Sequence, residues 1–160
     1  MPRSIDRKTK IAIYKSYIRP ILEYCTCVYN GNLNNDQIYA LEQVQRQSLI
    51  SALGAYRHTS HERLLREAGI EPLYIRRRYF ALCLLYKMVN GLTPPYLSYT
   101  LPPYVVDSSR YPLRNLNNFS IPRTSKTYVR LSFFWHTLYD WNSIDLAYVN
   151  LRRYRHLSQE

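Results

Sequence analysis

Residues 72–92 constrain the fold most strongly, because they carry the marks of one helix with a defined start and stop. Pro72 suits a first helical position, where its missing N–H would have no partner in any case. Asn90 and Gly91 favour a left-handed stop, and a Pro-Pro pair shortly afterwards prevents the helix from resuming. The sequence therefore predicts a helix over about residues 72–90.

This predicted helix has two chemical characters. Its first turns carry Arg76, Arg77 and Arg78, whereas the turns after Phe80 are apolar on nearly every face. A helix that is apolar all round must be surrounded by other elements. We therefore predict an all-α fold, a small helical bundle around this buried central helix, with the arginine end at the surface. Three consecutive arginines cover most of a turn, so at least one of them should face solvent.

The segment before residue 33 is predicted to be helical with one interruption. Ser4 or Asp6 can cap a helix, and Pro20 should kink it or begin a second one, with Arg19 outside the α region. The Asn-Gly-Asn sequence that starts at Asn30 is expected to end the segment, since Asn and Gly tolerate left-handed backbone.

Two further helices are predicted before the central one. A cluster beginning at Asn34 should start a helix that Gly54 ends. Thr59 and Glu62 have capping-box spacing and should open a short helix that Gly69 ends. These helices and the central one make up the first predicted division, a helical bundle over residues 1–92.

The composition changes after Gly91. Six prolines between residues 94 and 122 rule out persistent helices, so we predict an extended Pro/Tyr-rich connector over residues 93–131. Ser132 should then cap a short aromatic helix, and residues 146–157 form a last basic amphipathic stretch. One or two short helices over residues 132–160 are predicted to pack on the bundle.

The charge of the chain points to a polyanionic partner. Lys and Arg number 22 against 11 Asp and Glu, a formal net charge of +11, and no acid occurs between Asp107 and Asp140. An excess of this size favours nucleic acid over an acidic membrane. The alternative interpretation is a basic, soluble protein without such a partner.

The sequence offers little for catalysis, metals or cofactors. Cys25 and Cys27 would point to different faces of a helix, which does not fit the paired spacing of structural zinc ligands. No phosphate loop, dinucleotide turn or glycine-flanked serine is present in a chain with only 4 glycines. We therefore predict no enzyme activity, no cofactor, no metal and no small-molecule substrate.

The expected environment is intracellular, in the nucleus or the cytoplasm. Three cysteines do not make a disulfide framework and are typical of reduced thiols. The N-terminus has no apolar run that would suggest a signal peptide, and the longest apolar run is too short to span a bilayer. We accordingly predict a soluble chain with no membrane association.

Basic side chains beside aromatic ones are the remaining functional signal. Arginine suits phosphate by charge and by its bidentate fork, although a solvated first turn is an equally good interpretation of the arginine run. Cations near a helix N-terminus are unfavourable with the macrodipole, which favours an anionic partner there. The predicted nucleic-acid contacts are Lys8, Lys15, Arg19, Arg76, Arg77, Arg78 and Lys87.

Several strings over roughly residues 5–144 resemble, in order, the region after the palm in non-LTR, LINE-type retrotransposon reverse transcriptases. The strings begin at Ile13 (IYKSYIRPILEYC), Leu41 (LEQVQR), Gly69 (GIEPL), Leu84 (LLYKMVNGL), Tyr111 (YPLRN), Ser132 (SFF) and Trp141 (WNS). The family usually continues the last string with Leu-Pro, whereas Ser143 is followed here by Ile144 and Asp145. This departure fits a decayed or frameshifted copy.

The resemblance implies a thumb region, a helical bundle that grips the template–primer duplex, followed by its connector. The family's catalytic palm and its endonuclease lie outside the matched part, so polymerase activity is not implied. The leading hypothesis is a non-catalytic remnant that binds RNA or an RNA–DNA duplex through its backbone. The alternatives are a helical protein–protein module whose aromatic tail docks a partner, and an element-derived reading frame without selected function.

Overall fold

Helices account for the regular structure in the described part of this computed structural model, which covers residues 5–108, 118–121 and 123–144. The prediction of an all-α fold is confirmed. In these ranges the extended pairing consists of one isolated bridge, between Tyr104 and Phe119. The α-helices are α1 Arg7–Ile13, α2 Arg19–Glu23, α3 Thr26–Tyr29, α4 Asn35–Leu53, α5 His61–Ala68, α6 Leu73–Val89, α7 Pro95–Ser98, α8 Val105–Ser108, α9 Thr127–Arg130 and α10 Phe133–Ser143.

The chain groups into two compact units, Met1–Phe80 and Ala81–Glu160. The boundary lies inside α6, so this helix contributes its first half to the first unit and its second half to the second. The predicted divisions at residues 1–92, 93–131 and 132–160 followed composition, whereas the spatial grouping divides the predicted central helix itself. The basic stretch 146–157 lies outside the described residues.

Local chemistry sets most helix ends where the sequence predicts them. Asn34 caps α4 through a capping box, its Oδ1 accepting from the Gln37 N–H at 2.8 Å while Gln37 Oε1 accepts from the Asn34 N–H. Gly54, Gly69 and Gly91 follow α4, α5 and α6 with φ of +64°, +60° and +67°, the left-handed region that favours glycine.

Some local predictions near helix ends are wrong in detail. Ser60 rather than Thr59 precedes α5, and its side chain makes no capping hydrogen bond. The Asn30–Asn32 turn ends the first helical segment as predicted, but it does so as a 3₁₀ turn, and the left-handed residue of this region is Cys25, with φ of +53°. Pro72 stands one residue before α6, where its carbonyl accepts from the Arg76 N–H at 3.3 Å.

Pro20 lies in the first turn of α2, as the prediction of a second helix requires, and a π-helical turn precedes it. Residues Tyr14–Ile18 form this turn, and the Arg19 N–H donates to the Tyr14 carbonyl. Arg19 has φ −60° and ψ −42°, so the prediction that it lies outside the α region is wrong. The wider turn redirects the backbone bonds just before Pro20, which has no N–H to give to the helical ladder.

Aliphatic side chains from α4 and α5 form the core of the first unit around one buried tyrosine. Tyr14 of the π turn is 1% exposed and packs with them. The buried members of this cluster are Tyr14, Leu49, Leu53, Leu64, Leu65, Ala68 and Ile70. The π turn therefore contributes directly to the packing of this unit.

The second unit has its own core, made by the later half of α6, the connector and α10. Leu85 is fully buried with Phe119, Leu138 and Trp141, and Tyr104 stacks on Phe119 with ring centroids 4.5 Å apart. Within its described residues the connector contains no helix longer than one turn, in line with the prediction that persistent helices are ruled out, but the single-turn helices α7, α8 and α9 interrupt the extended structure that was predicted. Pro95 begins α7, a position where its missing N–H costs nothing.

Asn142 closes the second unit by a reciprocal pair of hydrogen bonds. Its Nδ2 donates to the Phe119 carbonyl and its Oδ1 accepts from the Phe119 N–H, both at 3.0 Å. Phe119 is 2% exposed, so these backbone groups have little access to water.

Replacing Asn142 with alanine is expected to destabilise the second unit by about 2–4 kcal/mol, since two buried backbone groups lose their partners. Chemical unfolding followed by tryptophan fluorescence measures this change, because Trp141 lies in the affected core. Asn90→Ala is the matched control: Asn90 is exposed and its amide donates to the Tyr86 carbonyl, a near neighbour in the helix that Asn90 follows. Equal losses of unfolding free energy in the two variants would contradict the structural role given to Asn142.

Candidate nucleic-acid interface

Glu42 of α4 organises the N-terminal end of α6. Its Oε1 accepts from the Tyr74 N–H at 2.9 Å and its Oε2 from the Leu73 N–H at 3.4 Å. The first N–H groups of a helix have no intrahelical partner and carry partial positive charge, so a carboxylate stabilises them. Glu42 is therefore the capping group of α6, supplied by another helix.

The same carboxylate faces a buried arginine. Arg77 is 1% exposed, and its Nη2 lies 3.8 Å from Glu42 Oε1. Its Nε donates to Asn30 Oδ1 at 3.1 Å, while Nη1 has no hydrogen-bond partner among the described residues. A buried guanidinium needs compensating charge and hydrogen bonds, so Glu42 and Asn30 hold Arg77 within the fold.

Arg76 forms a second internal ion pair. Its Nε and Nη2 both donate to the Glu23 carboxylate of α2, and its guanidinium carbon lies 5.3 Å from the Phe80 ring centroid. The hydrogen bond to Glu23 raises the pKa of Arg76 further above its usual value. Arg19 also lies 3.9 Å from this carboxylate, so Glu23 serves two arginines.

The seven predicted contact residues thus divide into two groups. Lys8, Arg78 and Lys87 are exposed and Lys15 is half-buried, whereas the other three belong to the ion-pair network. The expectation that at least one arginine of the run faces solvent is confirmed by Arg78. The expectation that the arginine end lies at the surface holds for Arg78, whereas Arg76 and Arg77 pair with Glu23 and Glu42 within the first unit. The paired or buried residues are Arg19, Arg76 and Arg77.

The two acids were missed by sequence reasoning, and so was Asn30. Glu23 carries one signal, since it lies four residues after Arg19 on a helical segment. Glu42 carries no such signal in the sequence, because its partners Leu73, Tyr74 and Arg77 are 31 to 35 residues away. The chain has only 11 acidic residues, and this scarcity is the one general indication that individual acids have structural roles.

Other titratable groups beside this network respond to burial. Burial raises the pKa of Tyr14 above its usual value, and it lowers that of His61 below its usual value. A buried His61 Nε2 has no hydrogen-bond partner within the described ranges. Burial is the largest cause of the lowered His61 pKa. Glu42 raises this pKa, and Arg46 lowers it. His61 is thus expected to stay neutral near pH 7.

Neither a metal site nor a membrane-spanning segment emerges within residues 5–108, 118–121 and 123–144. No three His, Cys, Asp or Glu side chains there come together in a group that could hold a metal ion. Cys25 is exposed, Cys27 and Cys83 are partly buried, and none of these three thiols belongs to a disulfide. No helix in these ranges combines the length and apolar character needed to cross a bilayer.

Comparisons of this chain with protein-family models, with curated proteins and with solved structures gave no match. Interpretation of the site therefore rests on its own geometry and on the sequence.

Proposed function

We propose that the chain is a non-catalytic, thumb-like module derived from a LINE-type reverse transcriptase, which binds RNA or an RNA–DNA duplex without reading its sequence. The observation that carries the binding proposal is the formal net charge of +11. Phosphate contacts supply most of the affinity in sequence-independent binding, and they require cations that are accessible. The proposed origin is supported by the short sequence strings that resemble the family and occur in the same order.

The ion-pair network refines which side chains act in this proposal. Lys8, Lys15, Arg78 and Lys87 contact phosphates. Arg76 and Arg77 instead position the first turns of α6, because internal carboxylates already neutralise or cap this region. Arg19 likewise supports Glu23. The buried pairs thus keep in place the first turns of α6, which carry Arg78.

Two RNA–DNA hybrids of equal length and unrelated sequence test the absence of sequence readout. Filter binding at one fixed salt concentration should give nearly equal affinities for both. Specific recognition typically favours its site by ~10³-fold or more, so a preference of that size would contradict the proposal. Absence of binding to either hybrid at low ionic strength would contradict it as well.

A protein-interaction module is the alternative, and one observation favours it. Four apolar side chains in one short segment, Tyr17, Ile21, Tyr24 and Val28, are 71% to 76% exposed. They do not lie on one continuous helix, because the backbone is extended at Tyr24 and left-handed at Cys25. Several exposed apolar groups in one segment are typical of a protein-interaction surface. Tyr17→Ser and Ile21→Ser should then abolish capture of a partner while leaving hybrid binding intact.

A further inference from the structure

A stacked pair of aromatic rings with a cation over one of them lies in the second unit. Trp135 and Tyr139, four residues apart on α10, have ring planes 7° from parallel and centroids 6.1 Å apart. The Arg130 guanidinium carbon lies 5.6 Å from the Trp135 centroid. Tyr139 is 63% exposed although its ring stacks on Trp135, so a large part of this side chain is open to solvent.

A cleft of about 250 Å³ adjoins this stack. Trp135, Phe134 and Leu138 line it together with Thr100 and Ser132. Its size approaches that of small-molecule pockets, which begin near ~300 Å³. Both hydroxyl groups donate to backbone carbonyls, Ser132 to Val129 and Thr100 to Leu97, each at 2.6 Å. Because both hydroxyl protons are already donated, a group bound beside these hydroxyls would meet acceptor lone pairs.

The segment that leads to α10 carries exposed cations. Arg123, Lys126 and Arg130 are exposed, and the sequence has no acid between Asp107 and Asp140, the residue that directly follows Tyr139. An aromatic surface beside cations fits a partner with flat π faces and negative charge. An apolar protein segment could pack on the rings but would not pair with the cations. An unpaired nucleic-acid strand can stack its bases on the rings and place its phosphates beside the cations.

We propose that Arg130, Trp135, Tyr139 and the adjoining cleft form a site for unpaired nucleobases of a single-stranded nucleic acid. One base extends the stack on the outer face of Tyr139, and a neighbouring base enters the cleft beside Trp135. Arg130 supports Trp135 and meets the phosphate between them. This site lies in the second unit and differs from the duplex contacts proposed above, in which Lys87 is the one residue from this unit.

Anisotropy of a labelled 12-nucleotide oligouridine, titrated with the full chain, measures binding at this site. Tyr139→Ala should weaken binding roughly 10-fold or more, since loss of one base–aromatic stack has that effect. Tyr139→Phe should bind like the wild type because it keeps the ring. Tyr96→Ala is the matched control: Tyr96 is 67% exposed in the same unit and stands outside the stack. This control should also bind like the wild type.

Tryptophan fluorescence gives an independent readout. The chain has two tryptophans, and Trp141 is only 8% exposed, so quenching by oligouridine should disappear in Trp135→Phe. Polyphosphate, which has charge but no bases, should bind wild type and Tyr139→Ala equally. Binding of the RNA–DNA hybrid should also be unchanged in Tyr139→Ala, which separates this site from the duplex contacts.

Three outcomes would overturn the site. One is equal oligouridine affinity in the wild type and Tyr139→Ala, and another is no oligouridine binding at low ionic strength. The third is quenching of Trp135 by an amphipathic peptide but not by oligouridine, which would assign the cleft to a protein partner. Equal affinity for oligouridine and for oligothymidine DNA would support stacking, because rings do not distinguish the two sugars.

Discussion

Replacing Glu42 with alanine is expected to lower the free energy of unfolding by about 3–5 kcal/mol, because the substitution leaves the buried Arg77 guanidinium without its counter-charge. The same change removes the acceptor of the Leu73 and Tyr74 N–H groups at the start of α6. Urea unfolding followed by circular dichroism measures the loss.

Glu42→Gln should cost less than Glu42→Ala, since an amide oxygen can still accept from the helix N-terminus. The control is Glu62→Ala in the Glu62–Arg66 pair, whose side chains are 83% and 78% exposed. An exposed pair of this kind contributes about 0.3–0.5 kcal/mol. A Glu42→Ala loss as small as that of the control would contradict the role assigned to Glu42.

Reversing Lys8 and Arg78 together to glutamate is expected to weaken binding of an RNA–DNA hybrid roughly 100-fold. A hydrogen bond to a charged group contributes about 1.5–3 kcal/mol, which corresponds to roughly 10-fold or more for each lost phosphate contact. Both side chains are exposed, so the fold should persist. Filter binding with circular dichroism of the same samples provides the measurement.

The matched control reverses Arg57 and Arg63, which are also exposed in the first unit but stand outside the proposed contacts. The net charge changes equally in the two double variants. Equal losses of affinity would show that bulk charge, rather than the named side chains, governs binding. Reversal of all three arginines 76–78 is unsuitable for this purpose, because Arg77 is buried and its reversal would disrupt folding.

Features that depend on neighbouring residues could be predicted from the sequence. Asn34 with Gln37 signals a helix start, and Gly54, Gly69 and Gly91 signal helix stops, because each acts through its own backbone conformation or a bond three residues away. The extent of α6 followed from such marks to within one residue at either end. The all-α fold followed from the helical spacing of apolar side chains.

Features that depend on distant residues could not be predicted. Arg76 meets Glu23 across 53 residues and Arg77 meets Asn30 across 47, so no local pattern indicates either pair. The arginine run was consequently interpreted as a cationic surface, although two of its three members are held inside the first unit. The π turn before Pro20 was also missed, because the usual effect of an internal proline is a kink or a break.

The salt dependence of hybrid binding tests the central claim most directly, namely that exposed cations bind phosphates without reading sequence. For Lys8, Lys15, Arg78 and Lys87 acting as four phosphate contacts, the logarithm of the binding constant should fall with the logarithm of salt concentration with a slope of about −3.6. The Lys8→Glu, Arg78→Glu variant should reduce the magnitude of this slope by about 2. A flat dependence, or an unchanged slope in the variant, would contradict the account.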